Sequence, residues 1–168
     1  MRKLILSLIA TCIMMISTSI AADTYPQYIY NNPNIPIVHG HMGGALYLDT
    51  TSTTVKYISK TTILFAENTI SAEYDREYNL KSMQEPHTRW YYYTSDVTKR
   101  GTTVIIIDGQ NIDVPPYVNN DVAYVSYDNG NSWKPFYISN TTGYNLSARQ
   151  PFIKGLESLR AKGQLNYN

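Results

Sequence analysis

From residue 45 onward, apolar and polar positions alternate with a period of two, and turn-forming residues cut the alternation into short runs. Residues 45–49 and 53–59 read as short strands. Residues 61–74 read as a long one, with Ile63, Phe65, Ile70 and Ala72 alternating against polar neighbours apart from a slip near Ala66 that suits a bulge. Residues 87–94 carry the aromatic run Trp90, Tyr91, Tyr92 and Tyr93. Residues 102–107 and 111–114 flank Asp108-Gly109, and residues 122–127 and 134–139 flank Asp128-Asn129-Gly130, so each pair predicts a hairpin. Residues 84–86 and Pro115-Pro116 read as loops.

Only the C-terminus changes to a helical period. Ile153, Leu156 and Leu159 share one face, Pro151 suits a first helical position that needs no N–H, and Gly163 suits the end. Gly155 costs the helix about 1 kcal/mol of propensity. The pattern predicts an α+β fold: an antiparallel β-sheet of about six to eight strands with one C-terminal helix laid across a face.

The first 21 residues have a different character. Arg2 and Lys3 precede an apolar run that extends to Ile16, and Ser19-Ile20-Ala21 supplies the small residues of a cleavage site, so residues 1–21 read as a secretory signal peptide. The run is shorter than the roughly 20 residues a membrane span requires, and no later segment is apolar enough to leave a span after cleavage. Cys12 follows Thr11 and precedes more apolar residues, which disfavours lipid attachment. Residues 22–44, rich in Tyr, Asn and Pro, read as an extended leader, and 45–168 as a single β-rich domain. The expected location is periplasmic, or secreted to the cell surface.

Cys12 is the only cysteine, so neither disulfides nor thiolate-metal sites hold the exported domain together. Loss of Arg2 and Lys3 with the signal leaves 12 basic against 13 acidic residues, a balance that removes the electrostatic case for nucleic acid as a partner. Tyrosine is the compositional outlier, with 16 residues, all beyond the signal. Strand alternation puts Trp90 and Tyr92 on one face and Tyr91 and Tyr93 on the other. These four are the candidate binding residues, a Tyr-rich face for a protein or glycan at the cell envelope or host surface.

Candidate chemistry is sparse. His39 and His41 point to one side of an extended segment, but two imidazoles need a third donor such as His87 or Asp49, so neither a metal site nor a cofactor is expected. Glu67, Glu73, Asp75 and Glu77 are close in sequence and read as a solvated strand end; no serine or cysteine sits in a nucleophile motif, and no catalytic residue is assigned. The run from Ser126 to Trp133 fits the Asp-box pattern of sialidases and some secreted glycan-binding proteins. A single copy in a chain this short reads as a structural hairpin in which Asp128 accepts backbone amides, Gly130 takes positive φ and Trp133 packs back beneath.

The stretch from Asn32 through His39-Gly40-His41 to Gly43, followed by Tyr47-Leu48-Asp49 and Thr51-Ser52, resembles an uncharacterised family of short exported bacterial proteins. That family is distantly similar in layout to surface-adhesin protein E, a small sheet-plus-helix protein. The resemblance spans residues 32–94 and implies no catalytic residues. This chain departs from the adhesin in lacking its cysteines and lipid attachment. The expected function is therefore a non-enzymatic, adhesin-like binding module. The alternatives are a small secreted hydrolase of glycan or cell wall working through Glu73 to Glu77, and a periplasmic assembly factor.

Overall fold

A computed structural model describes residues 25–165; residues 1–21, read above as a signal peptide, lie outside them. Nine strands and one long helix follow in order: β1 (Ile37–His41), β2 (Gly44–Ile58), β3 (Thr62–Tyr74), β4 (Leu80–Met83), β5 (His87–Thr94), β6 (Thr103–Ile107), β7 (Gln110–Val114), β8 (Val122–Ser126), β9 (Lys134–Tyr137) and α1 (Leu146–Ala161). The fold is α+β. Seven strands form one antiparallel sheet in the order β1-β2-β3-β5-β8-β9, with β4 pairing the end of β3 beyond β5, while β6 and β7 form a separate hairpin.

The long central strand β3 explains how one sheet carries two covers. Its odd residues Ile63 and Phe65 join Tyr91 and Tyr93 of β5 and Ala123 and Val125 of β8 beneath Phe152, Ile153, Leu156 and Leu159 of α1. Its even residue Leu64 joins Tyr92 and Tyr124 beneath Ile105, Ile107, Ile112 and Val114 of the β6–β7 hairpin. Both faces of β5 are therefore core, and each buried side chain of this size contributes about 1.5–3 kcal/mol.

Tight turns follow the residues that tolerate positive φ. Asp108-Gly109 (φ 50° and 80°) closes β6 onto β7 and Asn129-Gly130 (φ 57° and 88°) closes β8 onto β9, as the pairs Asp-Gly and Asn-Gly predict. Met42-Gly43 (φ 48° and 82°) closes β1 onto β2 and was not legible as a hairpin.

Four sequence expectations are corrected. The segment 22–44 is no free leader where it is described: Ile37–His41 pairs with β2, Tyr25 and Ile29 are buried with Tyr47, Ile70 and Tyr74, and the Tyr25 hydroxyl accepts the Gly43 N–H at 2.9 Å. Ile29, Ile35 and Ile37 supply the apolar anchors that a count of prolines concealed. The strands read at 45–49 and 53–59 are one strand, β2, and the slip near Ala66 belongs to β2 itself. Between Asp49, opposite Asn68, and Thr54, opposite Ala66, β2 carries an excursion held by the Ser52 hydroxyl, which donates to Asp49 O at 2.6 Å and accepts from Asn68 N at 2.8 Å. Strand β4 was not expected; its four residues are all exposed, so burial leaves no alternation to read.

The helix begins at Leu146, a turn and more before Pro151. Proline lacks the N–H that would bond the Ser147 carbonyl four residues back. Arg89 Nη1 donates to that carbonyl at 2.7 Å, so a β5 side chain serves the group that Pro151 leaves, and the helix continues through it. Gly155 has the complementary role. A Cβ there would strike Glu67 Oε2 and Phe65 Cε2, so α1 lies as close to β3 as a glycine allows.

Gly155→Ala is thus expected to destabilise the domain. Overpacking costs about 1–3 kcal/mol and outweighs the roughly 1 kcal/mol gained in helix propensity. A urea midpoint at or above that of the parent would show that the helix lifts freely off the sheet.

Candidate functional site

Three of the four aromatic residues nominated from the sequence fill the interior. Tyr91 and Tyr92 are fully buried, Tyr93 is buried, and Trp90 is half-buried with the Lys56 ammonium 5.8 Å over its ring. Tyr91 packs against Phe65, Phe136 and Phe152, and Tyr92 against Tyr124 and Trp133. The three tyrosines therefore belong to the core, and Trp90 alone of the four is partly open to solvent. The cause is the β6–β7 hairpin, which caps the face that alternation left open.

The Asp-box hairpin has the local geometry its residues imply. Asp128 Oδ1 accepts from Ser126 Oγ at 2.7 Å and Ser132 N at 2.9 Å, and Oδ2 accepts from Ser132 Oγ at 2.6 Å. Gly130 N donates to Ser126 Oγ at 2.8 Å, and the Trp133 indole donates to Asp113 O of β7 at 2.8 Å. The turn thereby ties the β6–β7 cover to the main sheet. The serine hydroxyls, ahead of the backbone amide, hold the Asp128 carboxyl down at about 2.

The sequence-level acidic group disperses. Glu73 is exposed and accepts from Ser82 Oγ at 3.1 Å; Asp75 caps a turn through Asn79 and the Glu77 amide, which lowers its carboxyl below the usual range. Glu67 alone turns inward. It is 1% exposed beneath Gly155, directly across from Arg89 on β5, and neither carboxylate oxygen has a hydrogen-bond partner. Desolvation pushes its carboxyl well above the ordinary value, against a smaller opposing pull from Arg89. Tyr91, also buried, is raised by burial and then by Glu67, against a smaller opposing pull from Arg89.

The histidines lie on the periphery. His39 and His41 occupy the outer strand β1 with ring centroids 6.5 Å apart and nearly parallel, whereas His87 begins β5 opposite Thr69 of β3. Burial and then the neighbouring His41 lower the His39 imidazole. Asp49 accepts from the Thr51 amide and hydroxyl inside the β2 excursion. Among the described residues no group of three metal-ligating side chains stands together.

The structure also forms a concavity that the sequence reading missed. A cleft of about 400 Å³ separates the N-terminal arm from α1. Tyr28, Pro33 and Pro36 line one wall, Lys154, Glu157 and Ser158 the other, and Thr50 lies among them. Lys154 and Glu157 pair at 2.9 Å across one helical turn, and Ser158 Oγ donates to Thr50 O at 2.9 Å. Two residues beyond Tyr28, Tyr30 is 72% exposed at φ 51°, a left-handed conformation costly for a tyrosine. The available signals were a polar Lys-x-x-Glu pair on the helix and two tyrosines in a proline-rich arm.

Together these features define a β-sheet domain with two covered faces and an open cleft at its edge. No protein family, curated protein or solved structure matches the chain. Among the described residues no helix is long and apolar enough to cross a membrane.

Two pH responses follow. The folded Glu67 binds its proton more tightly than the unfolded chain does, so its contribution is most favourable below the ordinary carboxylate value of 4.5 and declines as pH rises above it. Glu67→Gln should flatten stability against pH above the ordinary carboxylate value, gaining on the parent as pH rises; an unchanged slope would show that Glu67 is ionised in the fold. Asp128 has the opposite sign. Its stabilisation is present above 3.8 and lost as pH falls towards 2, so Asp128→Asn should unfold at lower urea at pH 7 and lose that acid limb, as fluorescence-monitored titration can test.

Proposed function

We propose that the chain is an exported, non-enzymatic binding module of the cell envelope, adhesin-like in layout, and that the cleft between the arm and α1 is its contact site for a protein or glycan. One observation carries this reading: the cleft brings tyrosine, proline, a paired lysine and glutamate, and hydroxyl groups to one accessible surface, with Tyr30 beside it held outward against its backbone preference. Aromatic faces stack on sugars or apolar side chains, while the ion pair and hydroxyls exchange hydrogen bonds with a polar ligand. The signal-like N-terminus and the family resemblance over residues 32–94 support the envelope setting.

Binding to peptidoglycan, to arrayed glycans and to host-surface proteins, measured with the mature chain, tests this reading. A saturable interaction is expected that weakens about tenfold in Tyr30→Ala with Glu157→Gln, at an exposed and a partly buried position, with circular dichroism checking that the variant keeps the parent fold. Absence of saturable binding to all three, or binding indifferent to both substitutions, would overturn it. Protease shaving of intact source cells then separates surface display from a periplasmic location.

A further inference from the structure

Among the described residues no strand pairs with the far edge of β4, which bonds to β3 alone. The other outer strands of the main sheet are fastened by their own chain. The Asn145 amide donates to Tyr137 O of β9 at 2.6 Å and its Oδ1 accepts Tyr137 N at 3.2 Å, while Ile37 N at the start of β1 donates to Gln27 O of the arm at 2.9 Å. Around β4, residues 80–88 are exposed without a break. Gln84 N donates to Ser71 O of β3 at 2.9 Å, so Gln84 directs its main chain inward. Main-chain direction alternates along a strand, and Met83 therefore turns its N–H and C=O outward from the sheet. Lys81 is the extra residue where the register slips between Ser82 and Leu80, and it has no partner on β3. Met83 pairs with Ala72 and Leu80 with Tyr74, which puts both exposed apolar side chains on the face of the arm cluster, at its open rim.

We propose that β4 pairs with β4 of a second copy of this chain, antiparallel across a two-fold axis at Met83, so that the sheet continues from one protomer into its partner. Charge selects both the occupant and the register. With Met83 opposite its own copy, the axis sets Lys81 opposite the partner's Glu85, and Glu85 opposite the partner's Lys81. Residues directly opposite have Cβ atoms about 4.5–5.5 Å apart, which an ammonium and a carboxylate bridge. Neither side chain forms an ion pair among the described residues, and Lys81 acts on Asp75 as one minor charge among several nearer contacts. A lysine on an open edge ordinarily guards it against a second strand. Here Glu85 turns that guard into a match for the same chain, the self-complementarity an isologous contact requires. Met83 exchanges two main-chain hydrogen bonds with its counterpart, and Pro86, lacking an N–H, ends the ladder opposite Leu80. The surface is separate from the cleft, which lies along Pro36, Thr50 and the helix.

The chain from residue 22 onward carries no thiol, because Cys12 is the single cysteine, and it serves for both association and cross-linking. Sedimentation velocity over a concentration series is expected to show a reversible dimer with micromolar dissociation. Met83→Pro removes an outward N–H and none from the β3 ladder, and it should weaken the dimer about tenfold or more, as should Lys81→Glu. Adding Glu85→Lys to Lys81→Glu should restore association, since the swapped charges meet again across the axis. Met83→Cys should form a disulfide-linked dimer under air with copper–phenanthroline, because Cα atoms of such a pair lie about 5.5 Å apart. Lys81→Cys should stay unlinked, because it stands about 13 Å from its own copy. A monomer at every concentration up to millimolar would overturn the proposal. So would a dimer indifferent to Met83→Pro and Lys81→Glu, or equal cross-linking of the two cysteine variants. Circular dichroism separates lost association from lost fold, and the Met83→Cys result decides if the proline variant unfolds.

Discussion

The approach of α1 to β3 at Gly155 is the constraint on which the rest of the domain depends. Without a side chain at that position, the helix settles against Phe65 and Glu67, and Phe152, Ile153, Leu156 and Leu159 reach the aromatic layer of β3 and β5. The same closeness strips water from Glu67 and leaves its carboxylate oxygens unpaired, so an apolar gain and a polar penalty share one contact. Arg89 of β5 ties α1 to the sheet a second time, through the carbonyl that Pro151 leaves without its helical partner. A proline and a glycine, each unfavourable to an isolated helix, are both matched here by residues of the sheet. Tertiary contacts outweigh local propensity along α1.

On the opposite face, the β6–β7 hairpin has a comparable dependence on one turn. It belongs to no other sheet, and its attachment comes from apolar side chains over Leu64, Tyr92 and Tyr124 together with the Trp133 indole bonded to Asp113. The Asp128 carboxylate organises the turn that aims Trp133. With Cys12 as its single cysteine, the chain closes its second cover with a hydrogen-bonded hairpin and without a covalent staple.

Much of this was readable from period and punctuation. The alternation in β3 and β5, the Asp-Gly and Asn-Gly turns and the helical spacing of Ile153, Leu156 and Leu159 located most of the sheet and the helix. What escaped was information that no local window holds. Alternation assigns Tyr91 and Tyr92 to opposite faces, but nothing near them in sequence says that a hairpin beginning 11 residues downstream of Tyr92 covers one face and the helix the other. The β2 excursion opposite Glu67 registers only when two strands are aligned, and the arm's burial depends on Tyr25 meeting Tyr74 across the sheet. The arm–helix cleft likewise joins residues more than a hundred positions apart.

The two tryptophans of the chain, Trp90 and Trp133, both pack on the hairpin side, while the helix side is built from phenylalanine, tyrosine and aliphatic residues. Intrinsic tryptophan emission from this protein is consequently a one-sided reporter. It follows the seating of β6 and β7 and is nearly blind to the helix, so an emission shift that precedes loss of far-ultraviolet ellipticity marks the hairpin lifting from a sheet whose helical cover is still in place.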